Sequence, residues 1–129
     1  MSSWLNLAVV AAGGAVGSIA RYGITLGMMS IPGGSSMLGT TTANVVGCAA
    51  IGALAEYSLL SETFSPRIVL GLRVGFLGAL TTFSTFAAES MLLAGEQRWP
   101  VAVFYVAANL FLGWGALWLA ATLVKGWLA

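Results

Sequence analysis

Long apolar stretches separated by short polar joints dominate the chain. About 20 apolar residues rising about 1.5 Å each are needed to cross a bilayer. On that measure the pattern predicts four spans, Trp4–Met29, Leu38–Leu60, Arg67–Gly95 and Val101–Val124. The joint Ile31-Pro32-Gly33-Gly34-Ser35-Ser36 is rich in turn residues, while Ser61 to Pro66 and Gly95 to Pro100 each open a helix at a proline. Joints this short place successive helices antiparallel. No basic segment precedes the first apolar run, which therefore reads as a retained helix and not as a cleaved secretory signal. No internal repeat or long linker divides the sequence, so the expectation is one all-α integral membrane domain over residues 1–129.

Composition strengthens this reading. Apolar residues make up 59% of the 129 and charged residues only 7%, against roughly 25% charged in a soluble domain. Too few charges are present to cover a water-exposed surface. A net charge of +1 without a basic cluster excludes nucleic acid as a partner. With no His, and with Cys48 alone in an apolar run, neither a disulfide, nor a zinc site, nor an assembled nucleophile and base is available. Arg67, Arg73 and Lys125 fall toward the side of the N-terminus and Arg21 and Arg98 toward the other. So small a bias gives the positive-inside rule little to act on, which leaves insertion in both orientations, and an antiparallel homodimer, open. Glycine pairs four apart, Gly13/Gly17, Gly23/Gly27 and Gly71/Gly75, predict close helix packing. Four helices seldom enclose a water-lined path, so a second copy is expected.

The third span carries the most unusual chemistry. As one helix its 29 residues would reach roughly 43 Å, beyond a hydrocarbon core of about 30 Å. Its middle, Gly75-Phe76-Leu77-Gly78-Ala79-Leu80-Thr81-Thr82-Phe83-Ser84-Thr85-Phe86, is a poor helix former and predicts a break. Irregular backbone at membrane depth survives only inside protein or along a cavity. Phe83 and Phe86 share a helix face with Thr82, Thr85 and Glu89 on nearby turns. Ring edges are positive, so phenylalanines beside hydroxyl and amide donors can replace the hydration of a small anion. Core or lipid-facing phenylalanines, with threonines bonded to their own helix, give the same spacing; spacing leaves both readings open. Asn44 in the second span and Asn109 in the fourth, the latter one turn from Tyr105, need partners in lipid. They fit either a polar track or hydrogen bonds that only hold the bundle. Arg21 interrupts the first span, as an anion-attracting vestibule or as an anchor.

Three motifs together resemble the Fluc (CrcB) family of fluoride channels. They are Gly13-Gly14-Ala15-Val16-Gly17-Ser18-Ile19-Ala20-Arg21-Tyr22, Thr42-Ala43-Asn44-Val45-Val46-Gly47, and above all Gly75 to Phe86 with Glu89. The resemblance covers essentially the whole chain. It implies four transmembrane helices with a broken third helix, in a dual-topology antiparallel homodimer in the cell membrane with two fluoride pathways. It implies a structural sodium ion at the dimer centre, held by backbone carbonyls that on matching positions belong to Gly78 and Thr81. By the same match Phe83 and Phe86 line the pore, Asn44 donates to the ion and Arg21 is the vestibule arginine. Thr82, Ser84 or Thr85 with Glu89 forms a polar track, and Tyr105 fits a pore position on the fourth helix. The family often presents hydroxyl residues on that helix, where this chain has Asn109 and Gly113.

The activity so implied is passive export of cytoplasmic fluoride, giving fluoride resistance without enzymatic turnover. A potential negative inside favours exit of one anion by about 2.3 kcal/mol per 100 mV. A small four-helix multidrug exporter is the main rival, but such exporters place an acid in the first helix, where this chain has Arg21 and none. A scaffolding subunit would use the glycines but leaves Thr82-Phe83-Ser84-Thr85-Phe86 unexplained.

Overall fold

Ser35 and Ser65 set where the second and third spans begin. Each hydroxyl accepts the backbone N–H three residues on, Ser35 from Leu38 at 3.2 Å and Ser65 from Ile68 at 3.4 Å, and so satisfies a first-turn donor that the helix leaves unpaired. The computed structural model describes residues 3–129, and these form α1 (Ser3–Ser30), α2 (Ser36–Leu60), α3 (Pro66–Leu70), a π-helical segment (Gly71–Leu77), α4 (Gly78–Leu80), α5 (Phe83–Gly95) and α6 (Trp99–Leu128). Pro66 stands at the start of α3 and Pro100 at the start of α6, where a missing N–H costs nothing. Among the described residues, four stretches are long and apolar enough to cross a membrane: Ser3–Ser30, Ser36–Leu60, Pro66–Gly95 and Trp99–Leu128. The fourth continues past the expected end at Val124, because no proline follows, Gly126 weakens the last turn without ending it, and Lys125 suits its negative end.

Between α5 and α6 the chain turns without glycine at the critical position. Arg98 N–H reaches back to Leu93 O at 2.9 Å and Gln97 N–H to Ala94 O at 3.0 Å, the paired bonds of a Schellman ending. This puts Gln97 at φ 60°, in the left-handed region.

Packing relies on missing side chains. α1 lies against the π-helical segment so closely that a Cβ on Gly13 would sit 2.9 Å from Phe76 N, and one on Gly17 would strike Phe76 O. From the other side, a Cβ on Gly75 would come within 2.7 Å of Val10 O. Two of the three expected glycine pairs thus interlock with each other. Gly23 and Gly27 do not take part, since nothing lies within 4 Å of a Cβ at either. α2 packs chiefly on α6, where Gly52 admits the backbone of Leu117. The core is small and centres on Phe86, Leu93, Ala102 and Tyr105. Large apolar side chains such as Trp4, Leu59, Phe104, Trp118 and Trp127 point outward, the surface that lipid requires. The chain is a multi-pass membrane protein.

Candidate functional site

Two residues separate α4 from α5. Thr81 (φ −85°, ψ 156°) and Thr82 (φ −150°, ψ 122°) both have extended backbone, and the N–H and C=O of an extended residue point to the same side. A primary amide is the side chain that complements such an edge, because it carries one acceptor and one donor in a plane. Asn44 of α2 supplies it. Its Oδ1 accepts from Thr82 N–H at 2.8 Å, and its Nδ2 donates to Thr82 O at 3.2 Å. The other Nδ2 proton goes to Asn109 Oδ1 of α6 at 3.1 Å. Asn109 Nδ2 donates in turn to Thr41 Oγ1 at 3.0 Å and to Tyr105 O at 3.1 Å, and Thr41 Oγ1 donates to Met37 O at 2.9 Å. Burying an amide without partners costs several kcal/mol in lipid, and here neither amide lacks them. An anion approaching Asn44 has to displace a protein acceptor from it.

The extended backbone here leaves two carbonyls without their helical donors. In an unbroken helix Gly78 O would accept from Thr82 N–H, and Thr81 O from Thr85 N–H. Asn44 Oδ1 takes the first donor and Thr82 Oγ1 takes the second at 3.2 Å. Thr81 directs its hydroxyl to Leu77 O at 3.0 Å and its methyl toward Gly47, where a Cβ would collide with it. Thr81 therefore has its carbonyl to offer, and not its hydroxyl. Two neutral carbonyls freed from helical bonding are hard oxygen donors, a set that fits an alkali cation; among the described residues no cluster of three His, Cys, Asp or Glu exists to hold a transition metal.

Beside Thr82 runs a line of aromatic rings. Phe83 and Phe86 lie 5.7 Å apart between centroids at 58°, and Phe86 and Tyr105 lie 5.6 Å apart at 46°. Both are tilted arrangements at centroid distances in the favourable range for aromatic pairs. The Tyr105 hydroxyl donates to Glu89 Oε2 at 2.6 Å. Phe86 and Tyr105 are buried, whereas Phe83 is 78% exposed in the single chain.

Two cavities meet here. A groove of about 310 Å³ is lined by Asn44, Cys48, Thr81, Thr82, Phe83, Phe86, Asn109 and Trp114 among others. A second, of about 290 Å³, brings Arg21 of α1 together with Ser18, Thr25, Thr40, Thr82, Thr85 and Glu89. Thr82 borders both. Its Oγ1 also lies 3.3 Å from Ser84 Oγ and donates to Thr85 Oγ1 at 3.1 Å. Arg21, Asn44, Thr82, Ser84, Thr85, Phe83, Phe86, Glu89, Tyr105 and Asn109 are thereby gathered in one region. Ser18, Thr25, Thr40 and Thr41 belong to it too, and sequence reasoning missed them. For the last two the signal was available, because Thr40 and Thr41 stand four and three residues before Asn44 and share its face.

The family model described as "CrcB-like protein, Camphor Resistance (CrcB)" matches residues 8–121. The chain belongs to the CrcB family. Every residue of the two cavities falls within the CrcB match. Among relatives, a protein of Rhodopirellula baltica named "Fluoride-specific ion channel FluC" is 34% identical, with 95% of each chain covered. A protein of the same name from Caulobacter vibrioides is 43% identical over 87% of this chain and 89% of its own. A third, from a Shewanella species, is 40% identical over 83% and 86%.

Proposed function

We propose that this CrcB chain is a fluoride-selective passive channel of the cell membrane, which lets cytoplasmic fluoride leave down its electrochemical gradient and performs no covalent chemistry. The observation that carries this reading is the junction at Thr82, where a polar cavity headed by Arg21 adjoins a groove edged by Phe83 and Phe86. Arg21 raises the local anion concentration at one end. No lysine or arginine lines the aromatic groove, so an anion that sheds water there meets ring edges and hydroxyl dipoles, partners weak enough to release it. Thr82, Ser84, Thr85, Tyr105 and Glu89 supply exchangeable hydrogen bonds along the way. The names of three relatives support the choice of anion.

The working unit in this reading is an antiparallel, dual-topology homodimer with the third helix broken at Thr81 and Thr82. Support comes from the near-even distribution of basic residues and from Phe83, which a single chain leaves uncovered beside an open groove. The carbonyls of Gly78 and Thr81 would hold a structural sodium ion, whose charge would draw these carbonyl dipoles together and keep the interruption from closing.

Purified protein in liposomes, loaded with either anion and given a potassium gradient with valinomycin, tests the activity through fluoride and chloride electrodes. Fast fluoride release with little chloride release is the expected result. Release of neither anion from folded protein would remove the channel reading.

A further inference from the structure

The interruption between α4 and α5 contains neither proline nor an unusual glycine angle. Thr81 and Thr82 are ordinary residues with ordinary extended dihedrals, and their weak helix propensity disfavours a continuous helix from Gly78 onward without forbidding one. Something must compete with Gly78 O for the Thr82 N–H, and that competitor is a side chain. Asn44 Oδ1 holds the N–H at 2.8 Å. It is able to do so only in one of its two amide orientations, because a flipped Asn44 would set N–H against N–H and oxygen against oxygen at Thr82.

We infer that Asn109 is a positioning residue that fixes the amide orientation of Asn44, and that this side-chain relay from α6 through α2 is what withdraws the Thr82 N–H and bares the carbonyl of Gly78. Asn109 Oδ1 accepts the second Asn44 Nδ2 proton at 3.1 Å, a bond open only to the correct orientation. Asn109 is itself locked, because its Nδ2 donates both to Thr41 Oγ1 and to Tyr105 O. Thr41 Oγ1 is free to accept because its own proton is committed to Met37 O. The relay thus has a direction and ends on a backbone carbonyl. Asn109 acts through Asn44 and not on a permeating ion. That the bared Gly78 carbonyl serves a cation rests on the proposed function; the relay itself does not.

The test reads the carbonyl directly. The sequence holds four Gly-Ala peptides, Gly14-Ala15, Gly52-Ala53, Gly78-Ala79 and Gly115-Ala116. Labelling glycine at its carbonyl carbon and alanine at nitrogen therefore yields four carbonyl resonances in the full-length protein. The other three glycines lie inside unbroken helices, so in sodium-free buffer the wild-type Gly78 signal, with neither a helical donor nor a cation on its oxygen, is expected upfield of them. Asn44→Ala and Asn109→Leu should each move it downfield toward the helical group, and the double variant should move it no further than Asn44→Ala alone. Thr41→Val, which keeps volume, should move it the same way by less, and it decides the matter if Asn109→Leu does not fold. A wild-type Gly78 signal already among the helical three, or one that stays put in the folded variants, overturns the relay. In a parallel arm, unfolding temperature is titrated with sodium against N-methylglucamine. A sodium response weakened about tenfold in Asn109→Leu, the size of one ordinary hydrogen bond, is expected. A shifted Gly78 signal with an unchanged sodium response keeps the relay and removes Gly78 from the cation site. Fluoride flux enters neither readout, so failure of the channel reading is seen separately.

Discussion

Tyr105 donates its phenolic proton to Glu89 Oε2 across 2.6 Å while its ring lies 5.6 Å from that of Phe86. One residue of α6 thus ties the aromatic line to the carboxylate of the polar cavity. Tyr105→Phe keeps the ring and removes the bond, leaving Glu89 free to turn toward Arg21 and Thr85, which line the same cavity. Fluoride efflux from liposomes is expected to fall about tenfold, the size of one ordinary hydrogen bond, with the unfolding free energy lowered by about 1 kcal/mol.

Phe83 and Phe86 separate packing from passage. Phe83 is 78% exposed and Phe86 8%, so Phe86→Ala should lower stability by about 3 kcal/mol or more and Phe83→Ile should leave the single chain's stability nearly intact. Efflux should nevertheless drop roughly tenfold in Phe83→Ile, because an aliphatic side chain has no positive edge. Normal fluoride efflux in that variant would count against a path along the aromatic line.

Four spans and the gathering of Phe83, Phe86 and Glu89 were legible because hydropathy and helical spacing are local properties. The pairing of Asn44 with Asn109 was not, since they stand 65 positions apart; two mid-span amides announce that each needs a partner, without saying which. The π-helical winding at Gly71–Leu77 left no trace in the residue pattern. Nor did composition tell the interlocked Gly13 and Gly17 from the open Gly23 and Gly27. That difference depends on which face of α1 meets a neighbour.

These glycines should respond differently to a methyl group. Gly17→Ala places a Cβ against the backbone of Phe76, which has no flexible end to yield, and is expected to destabilise by about 2 kcal/mol or more. Gly23→Ala meets nothing within 4 Å and should be neutral or stabilising, by up to about 1 kcal/mol. Reversible unfolding in mixed detergent compares the two.

Gln97 holds a left-handed conformation at φ 60° in the turn between α5 and α6. Such a conformation costs a side-chain-bearing residue about 1–2 kcal/mol, and glycine avoids it at some loss of chain entropy. Gln97→Gly should therefore raise the unfolding free energy by about 0.5–1 kcal/mol and leave efflux untouched. A lowered unfolding temperature would show that the Gln97 side chain has a role beyond the turn.

The contact between α1 and the π-helical segment is one of main chain against main chain. A joint of that kind is blind to most of what mutation changes. A saturation library along α1 should accept nearly any apolar replacement at Val16, Ile19 or Leu26, whose side chains the single chain leaves exposed, and reject almost every one at Gly13 and Gly17. The tolerance map would then be nearly binary, and the positions it protects would be those with the least chemistry to lose.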